Sequence, residues 1–178
     1  MTAQISDKFI FKGEHYSLVG INGGDLASPE LFGMEPEMIH TGCYRGFYAT
    51  YELTGDSLYL RELTLREKSG NYLPIGEIDP VKQEHQATYH GLSVVVPFTG
   101  NIRLAKDFID DLYVHMGYQK PTAFKTVLDI TLQGGRVVHI EDRSKDIEKK
   151  RGAFKKHYES GNMIQTIADA FSLDMDLE

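Results

Sequence analysis

The chain has 178 residues, 41% hydrophobic and 25% charged, with 17 glycines, one cysteine and a formal net charge of −7. That length suits one large domain or two small ones of roughly 70–100 residues, and the composition excludes collagenous, low-complexity and disordered chains. The lone cysteine, Cys43, excludes an internal disulfide framework and a multi-cysteine zinc site. The acidic balance argues against a general nucleic-acid binder. With no charged-then-apolar leader pattern and no stretch able to span a bilayer, the cytoplasm is the expected compartment and no membrane partner is expected.

The first half reads as strands and turns. Phe9-Ile10-Phe11, the turn Lys12-Gly13-Glu14 and Tyr16 to Ile21 predict a hairpin. Ser28-Pro29-Glu30-Leu31-Phe32-Gly33 predicts one helical turn, with serine as cap, proline at the first position and glycine at the end. Phe47, Ala49, Tyr51 and Leu53 alternate along a strand that turns at Gly55-Asp56 and returns through Leu58-Tyr59-Leu60. The apolar phase then slips to Leu63 and Leu65, which predicts a β-bulge near Arg61-Glu62. Residues 66–86 are polar and read as a long connection.

In the second half, Ala87-Thr88-Tyr89 and Leu92 to Phe98 predict a hairpin turning at His90-Gly91. Ala105, Phe108, Ile109, Leu112 and Met116 fall at helical spacing before Gly117, so the main helix is expected over 103–116. Phe124 to Leu132 alternate, Gly134-Gly135 turns, and Val137-Val138-His139-Ile140 returns. A helix over 144–159, a second helical piece capped by Asn162 and a loose acidic end from Asp174 complete the chain. Phe47, Tyr51, Leu53, Phe108, Leu112, Phe124, Leu128 and Ile130 are the expected core.

An offset of 76 residues superposes Ser17 on Ser93, Val19 on Val95, Gly24 on Gly100 and Phe32 on Phe108. An offset of 77 superposes Phe47 on Phe124, Tyr51 on Leu128, Glu52 on Asp129 and Leu53 on Ile130. Alternation and turn positions survive the slide, which points to an internal duplication. The expected fold is therefore α+β, with antiparallel β-hairpins in two structurally related halves, one main helix and a helical C-terminal extension. Its parts are a first hairpin module over 1–66, a connection over 67–86, a second module with the main helix over 87–142, and the extension over 143–178.

No phosphate loop, nucleophile elbow, dinucleotide fingerprint or His-Glu-x-x-His motif is present. His40 lies three residues from Cys43, a spacing open to a thiolate nucleophile or to a small half-buried residue beside a loop histidine. Asp107, Asp111 and His115 would form one stripe on the expected helix, a metal-binding face or simply a solvated one. The candidate binding residues are Tyr44, Arg45 and Tyr48 in one loop, and Tyr113, Tyr118, Gln119 and Lys120 in another. The tyrosines offer flat walls, and the cations face an anion or a protein partner while contributing little to folding. The stretch 143–157 carries a charge of +5, leaving −12 for the rest, and suits an acidic partner, RNA or a solvated helix.

Thr41-Gly42-Cys43-Tyr44-Arg45-Gly46-Phe47, Phe98-Thr99-Gly100 and Tyr113-Val114-His115-Met116-Gly117-Tyr118-Gln119 resemble an uncharacterised family of stand-alone bacterial proteins of this length. The resemblance implies a bacterial or phage source and carries no activity or catalytic residue. The expected function is non-enzymatic recognition, as an inhibitor or immunity-like partner of another protein or as an accessory subunit, without a cofactor. Alternatives are a binder of a small anionic or nucleotide-like ligand in the cleft between the halves, and a metal-assisted hydrolase using Asp107, Asp111 and His115. Nucleic acid is not an expected partner.

Overall fold

The alternating stretches form strands that join in one sheet, seen in a computed structural model that describes residues 2–55, 57–157 and 169–175. In chain order the strands are β1 (Lys8–Phe11), β2 (Glu14–Gly23), β3 (Phe47–Thr54), β4 (Ser57–Leu65), β5 (Val81–Lys82), β6 (Ala87–Tyr89), β7 (Val94–Val95), β8 (Gly100–Phe108), β9 (Phe124–Gln133) and β10 (Arg136–Asp142). The one long helix among the described residues is α1 (Ser144–His157). The protein is thus mixed α+β, mostly strand. The sheet runs β10-β9-β8-β2-β1-β3-β4-β6-β5, with β7 also on β4. Every pairing is antiparallel except β1 with β3.

The sheet curls until β10 touches β4, enclosing a core built from side chains of β1, β2, β3, β4, β6, β8 and β9. Phe9 stacks on Tyr51 at 5.0 Å between ring centroids, and both are fully buried. On the outer face, Ile147 of α1 packs with Val19, Ala105, Phe124 and Val127. Ser144 sets the start of that helix, its hydroxyl accepting from the Val127 amide at 3.0 Å.

The predicted bulge is present. Thr50 faces Glu62 while Tyr51 faces Leu60, so Arg61 is the extra residue. The bulge keeps Leu58, Leu60, Leu63 and Leu65 all inside despite the phase slip. The predicted helical turn is a 3-10 turn over Pro29–Phe32, ended by Gly33 in the left-handed region.

Two expectations are overturned. Residues 103–108 belong to β8 rather than to a helix, followed only by a 3-10 turn at Asp110–Leu112. Ile102 and Leu104 face the main core and Ala105 joins the cluster around Ile147 of α1, so an apolar residue on the outer face brings the strand into helical spacing with Phe108 and Ile109. Residues 87–98 are not a hairpin, because β6 and β7 pair with successive parts of β4 instead of with each other. The Arg61 bulge explains this, since it receives the Leu92 amide on its carbonyl and offers its guanidinium to the Ser93 hydroxyl. Of the expected core, Tyr51, Leu53, Phe124 and Ile130 are buried and Phe47, Leu112 and Leu128 half-buried. Phe108 is 36% exposed and leans edge-on against Phe124. The helical piece expected from Asn162 lies outside the described residues except at its end. Across the 76–77-residue offset, β3–β4 and β9–β10 are both hairpins. By contrast, β2 is matched by an irregular stretch holding the two-residue β7.

The crossover from β2 to β3 pairs through its backbone with the connection after β4, where one buried carboxylate, Glu67, closes the turn and reaches across. It accepts from the Ser69 hydroxyl at 2.6 Å, the Ser69 amide at 2.7 Å, the Asn71 amide at 3.1 Å and the Glu35 amide at 3.3 Å. The Ser69 hydroxyl, followed by these amides, holds its pKa below the ordinary carboxylate value against the opposing effect of burial. A depressed folded-state pKa contributes stability that is complete above the unfolded pKa and is lost as pH falls through the folded one. Glu67→Gln should therefore lower the melting temperature at neutral pH and flatten the loss of stability below about pH 4.5. Thermal melts of both proteins across that range check this.

Candidate functional site

The registers of β1 create a notch in the sheet. Lys8 sits opposite Ser17 of β2 and Thr50 of β3, and β1 begins there. Beyond that point β2 continues to Gly23 and β3 starts at Phe47, with no strand of β1 between them. A cleft of about 530 Å³ occupies this notch, lined by Asp7, Leu18, Arg45, Phe47, Leu173 and the crossover residues that follow Ile21.

Asp7 lies at its base and is 2% exposed. Its carboxylate pairs with the Arg45 guanidinium and accepts from the Ala49 amide at 2.8 Å. Its carbonyl accepts from the Leu18 amide at 2.9 Å. One residue thereby links β2, β3 and the loop before β3. The guanidinium of Arg45 lies 4.5 Å from the centre of the Phe47 ring. Burial works against the charge of Arg45, but the Asp7 charge and hydrogen bond outweigh it and raise its pKa. Tyr51, beneath them, donates to the Ala27 carbonyl at 3.1 Å, and burial holds its phenol well above the usual value.

The loops that hold the candidate binding residues are joined through the N-terminal segment. The Gln4 amide donates to the Gly117 carbonyl at 2.7 Å, and its side chain donates to the Thr41 carbonyl at 2.8 Å. The Gln4 side chain also accepts from the Tyr44 amide at 3.1 Å. Tyr118 is half-buried, and burial, partly offset by nearby Arg45, raises its phenol pKa. Gln119 closes its own loop with two bonds to the Val114 backbone, at 2.8 and 3.0 Å. Tyr44 and Tyr113 are exposed, the former against Phe171 and the latter edge-on to His115. Tyr48 is half-buried on β3 opposite Thr64. Of these seven candidates only Arg45 lines the cleft.

Residues 169–175 pass over the notch as a strap. The Ala170 carbonyl accepts from the Tyr118 amide at 2.8 Å and the Leu173 carbonyl from the Ile21 amide at 2.7 Å. Lys120 reaches the carbonyls of Asp169 and Ser172. The ammonium is thus engaged with the strap, which a reading of Lys120 as a free cation did not anticipate. Sequence reasoning also missed Asp7, Asp25 and Glu30 as cleft residues. An isolated acid before a strand carries no periodic signal. The strap did have one, in the alternation of Phe171, Leu173 and Met175.

The remaining candidates are dispersed. Cys43 is buried, donates to the Phe47 carbonyl at 3.5 Å and has its pKa raised by burial, the opposite of an activated thiolate. His40 instead accepts the Gly42 amide at 3.1 Å. Without a helix the Asp107, Asp111 and His115 stripe does not form, and Asp107 accepts from the Thr126 hydroxyl. No group of three metal-ligating side chains gathers among the described residues. Nor is any helix among them long and apolar enough to cross a membrane. Comparison with family models, curated proteins and solved structures finds no match.

The expectation that Arg45 contributes little to folding is overturned, because it partners a buried carboxylate. Removing one member of a buried pair costs about 3–5 kcal/mol. Arg45 keeps 29% of its side chain exposed, which moves the expected loss for Arg45→Ala toward the lower end of that range. Urea denaturation of the variant against the parent protein checks this.

Proposed function

We propose that this chain is a non-enzymatic recognition protein, an inhibitor or immunity-like partner of another protein or an accessory subunit, that engages a basic surface of its partner. The charge of the cleft carries this reading. Asp25, Glu30 and Asp174 line it, and none of them enters an ion pair among the described residues. The one cation that lines it among the described residues, Arg45, is already committed to Asp7. Such a lining complements positive charge and steers a basic partner toward it. Exposed Tyr44 and Tyr113, on the two loops joined by Gln4, add the aromatic contact area that protein interfaces favour.

The alternative of a small anionic or nucleotide-like ligand draws less support, since an anion there would face three carboxylates. A hydrolase draws less still, given the buried, protonation-favouring site of Cys43 and the scattered Asp107, Asp111 and His115. The hairpins β3–β4 and β9–β10 are, in this proposal, descendants of one duplicated unit.

The test is affinity capture from an extract of the source cell, comparing the parent protein with Asp25→Lys/Glu30→Lys. Both positions are exposed, so the melting curve should stay nearly unchanged. The parent protein should retain a basic protein that the charge-reversed variant loses. Equal capture by both, or a bound small anion seen as excess mass in native mass spectrometry, would count against the reading.

A further inference from the structure

Building on the recognition reading, we infer that the cleft-side edge of β2 is an exchangeable peptide-binding groove. Its resident occupant is the chain's own strap, and its target is an extended partner segment with two apolar residues flanking a basic one.

The groove is shaped for a chain. Gly20 leaves room that Met175 fills, since a Cβ there would lie 2.7 Å from the Met175 side chain. A Cβ on Gly117 would lie 2.0 Å from the Ala170 carbonyl oxygen. Leu173 packs against the main core and Met175 is buried, which defines two apolar subsites with one residue between them. The orientation is that of an added strand, parallel to β2.

The resident strap fits this groove imperfectly in two respects. Among the described residues it makes a single bridge to β2, Asp174 opposite Ile21, whereas β8 pairs with six residues on the other side of the same strand. Its residue between the two apolar anchors is Asp174, a third carboxylate without an ion pair among the described residues, in a cleft already holding Asp25 and Glu30. Lysine or arginine at that position would turn repulsion into attraction. A covalently attached strap holds such a groove through high effective concentration despite weak contacts, and a better-matched segment can displace it.

The experiment uses the full chain and two fluorescent peptides, one with the sequence of residues 169–175 and one carrying Asp174→Lys. The Asp174→Lys peptide should bind at least tenfold more tightly, and the difference should shrink in Asp25→Asn/Glu30→Gln. In Leu173→Ala/Met175→Ala, where the resident strap is weakened, both peptides should bind at least tenfold more tightly than to the parent chain. A folded double variant that binds neither peptide, or two peptides of equal affinity, overturns the inference. Should the double variant not fold, hydrogen exchange on the parent chain decides. The Ile21 and Tyr118 amides, which donate to the strap, should exchange at least tenfold faster than those of the β8–β9 ladder. Equal rates make the strap inseparable from the fold and overturn exchange. A concentration-dependent dimer lost in the double variant assigns the groove to a second copy and overturns the partner segment. Neither readout needs the natural partner, so failure here leaves the capture result standing, and the converse also holds.

Discussion

The Asp7–Arg45 pair is the constraint on which this end of the molecule depends. A carboxylate so deeply buried needs its hydrogen-bond capacity filled. Here the partners come from three parts of the chain: the guanidinium of the loop before β3, the Ala49 amide of β3 itself, and, through the Asp7 backbone, the Leu18 amide of β2. These contacts hold β2 and β3 apart where β1 has not yet begun. Without them the notch would be an unsupported gap in the sheet. With them it is a walled cleft with a fixed floor.

From that floor the functional reading follows by charge and by shape. Since Arg45 is neutralised by Asp7, the carboxylates at the mouth determine the character of the cleft. The open edge of β2 determines its form, because unpaired strand edges attract further strands and proteins commonly cover them. This chain covers its own with residues 169–175, held by Lys120, Tyr118 and Ile21. The proposed recognition of positive charge and the proposed extended binding mode both rest on these features.

Much of the sheet was legible in the sequence wherever apolar residues alternated along a strand. The β3–β4 and β9–β10 hairpins, the Arg61 bulge and the Pro29–Phe32 turn all carry local signatures. Legibility ended at β8. Ala105 adds an apolar residue to the outer face of that strand, beside Ile102 and Leu104 in the main core, and the strand's apolar residues then coincide with helical spacing as well as with a strand. The Gln4 bridge that joins the 44–48 and 113–120 loops left no trace in the sequence pattern, because such bonds join residues distant in sequence and follow no period. For the same reason Asp7 gave no sign of its importance, while the alternation in Phe171, Leu173 and Met175 was readable and was obscured by the acidic residues between them.

The most direct measurement of the central claim is a double-mutant cycle between Asp7→Asn and Arg45→Met, followed by urea denaturation at neutral pH. If the pair organises the notch, the losses in the single variants should exceed the loss in the double variant by a coupling of about 2 kcal/mol, within the range seen for groups in one network. Additive losses, with a coupling near zero, would contradict the account, since each residue would then act on the fold independently of the other.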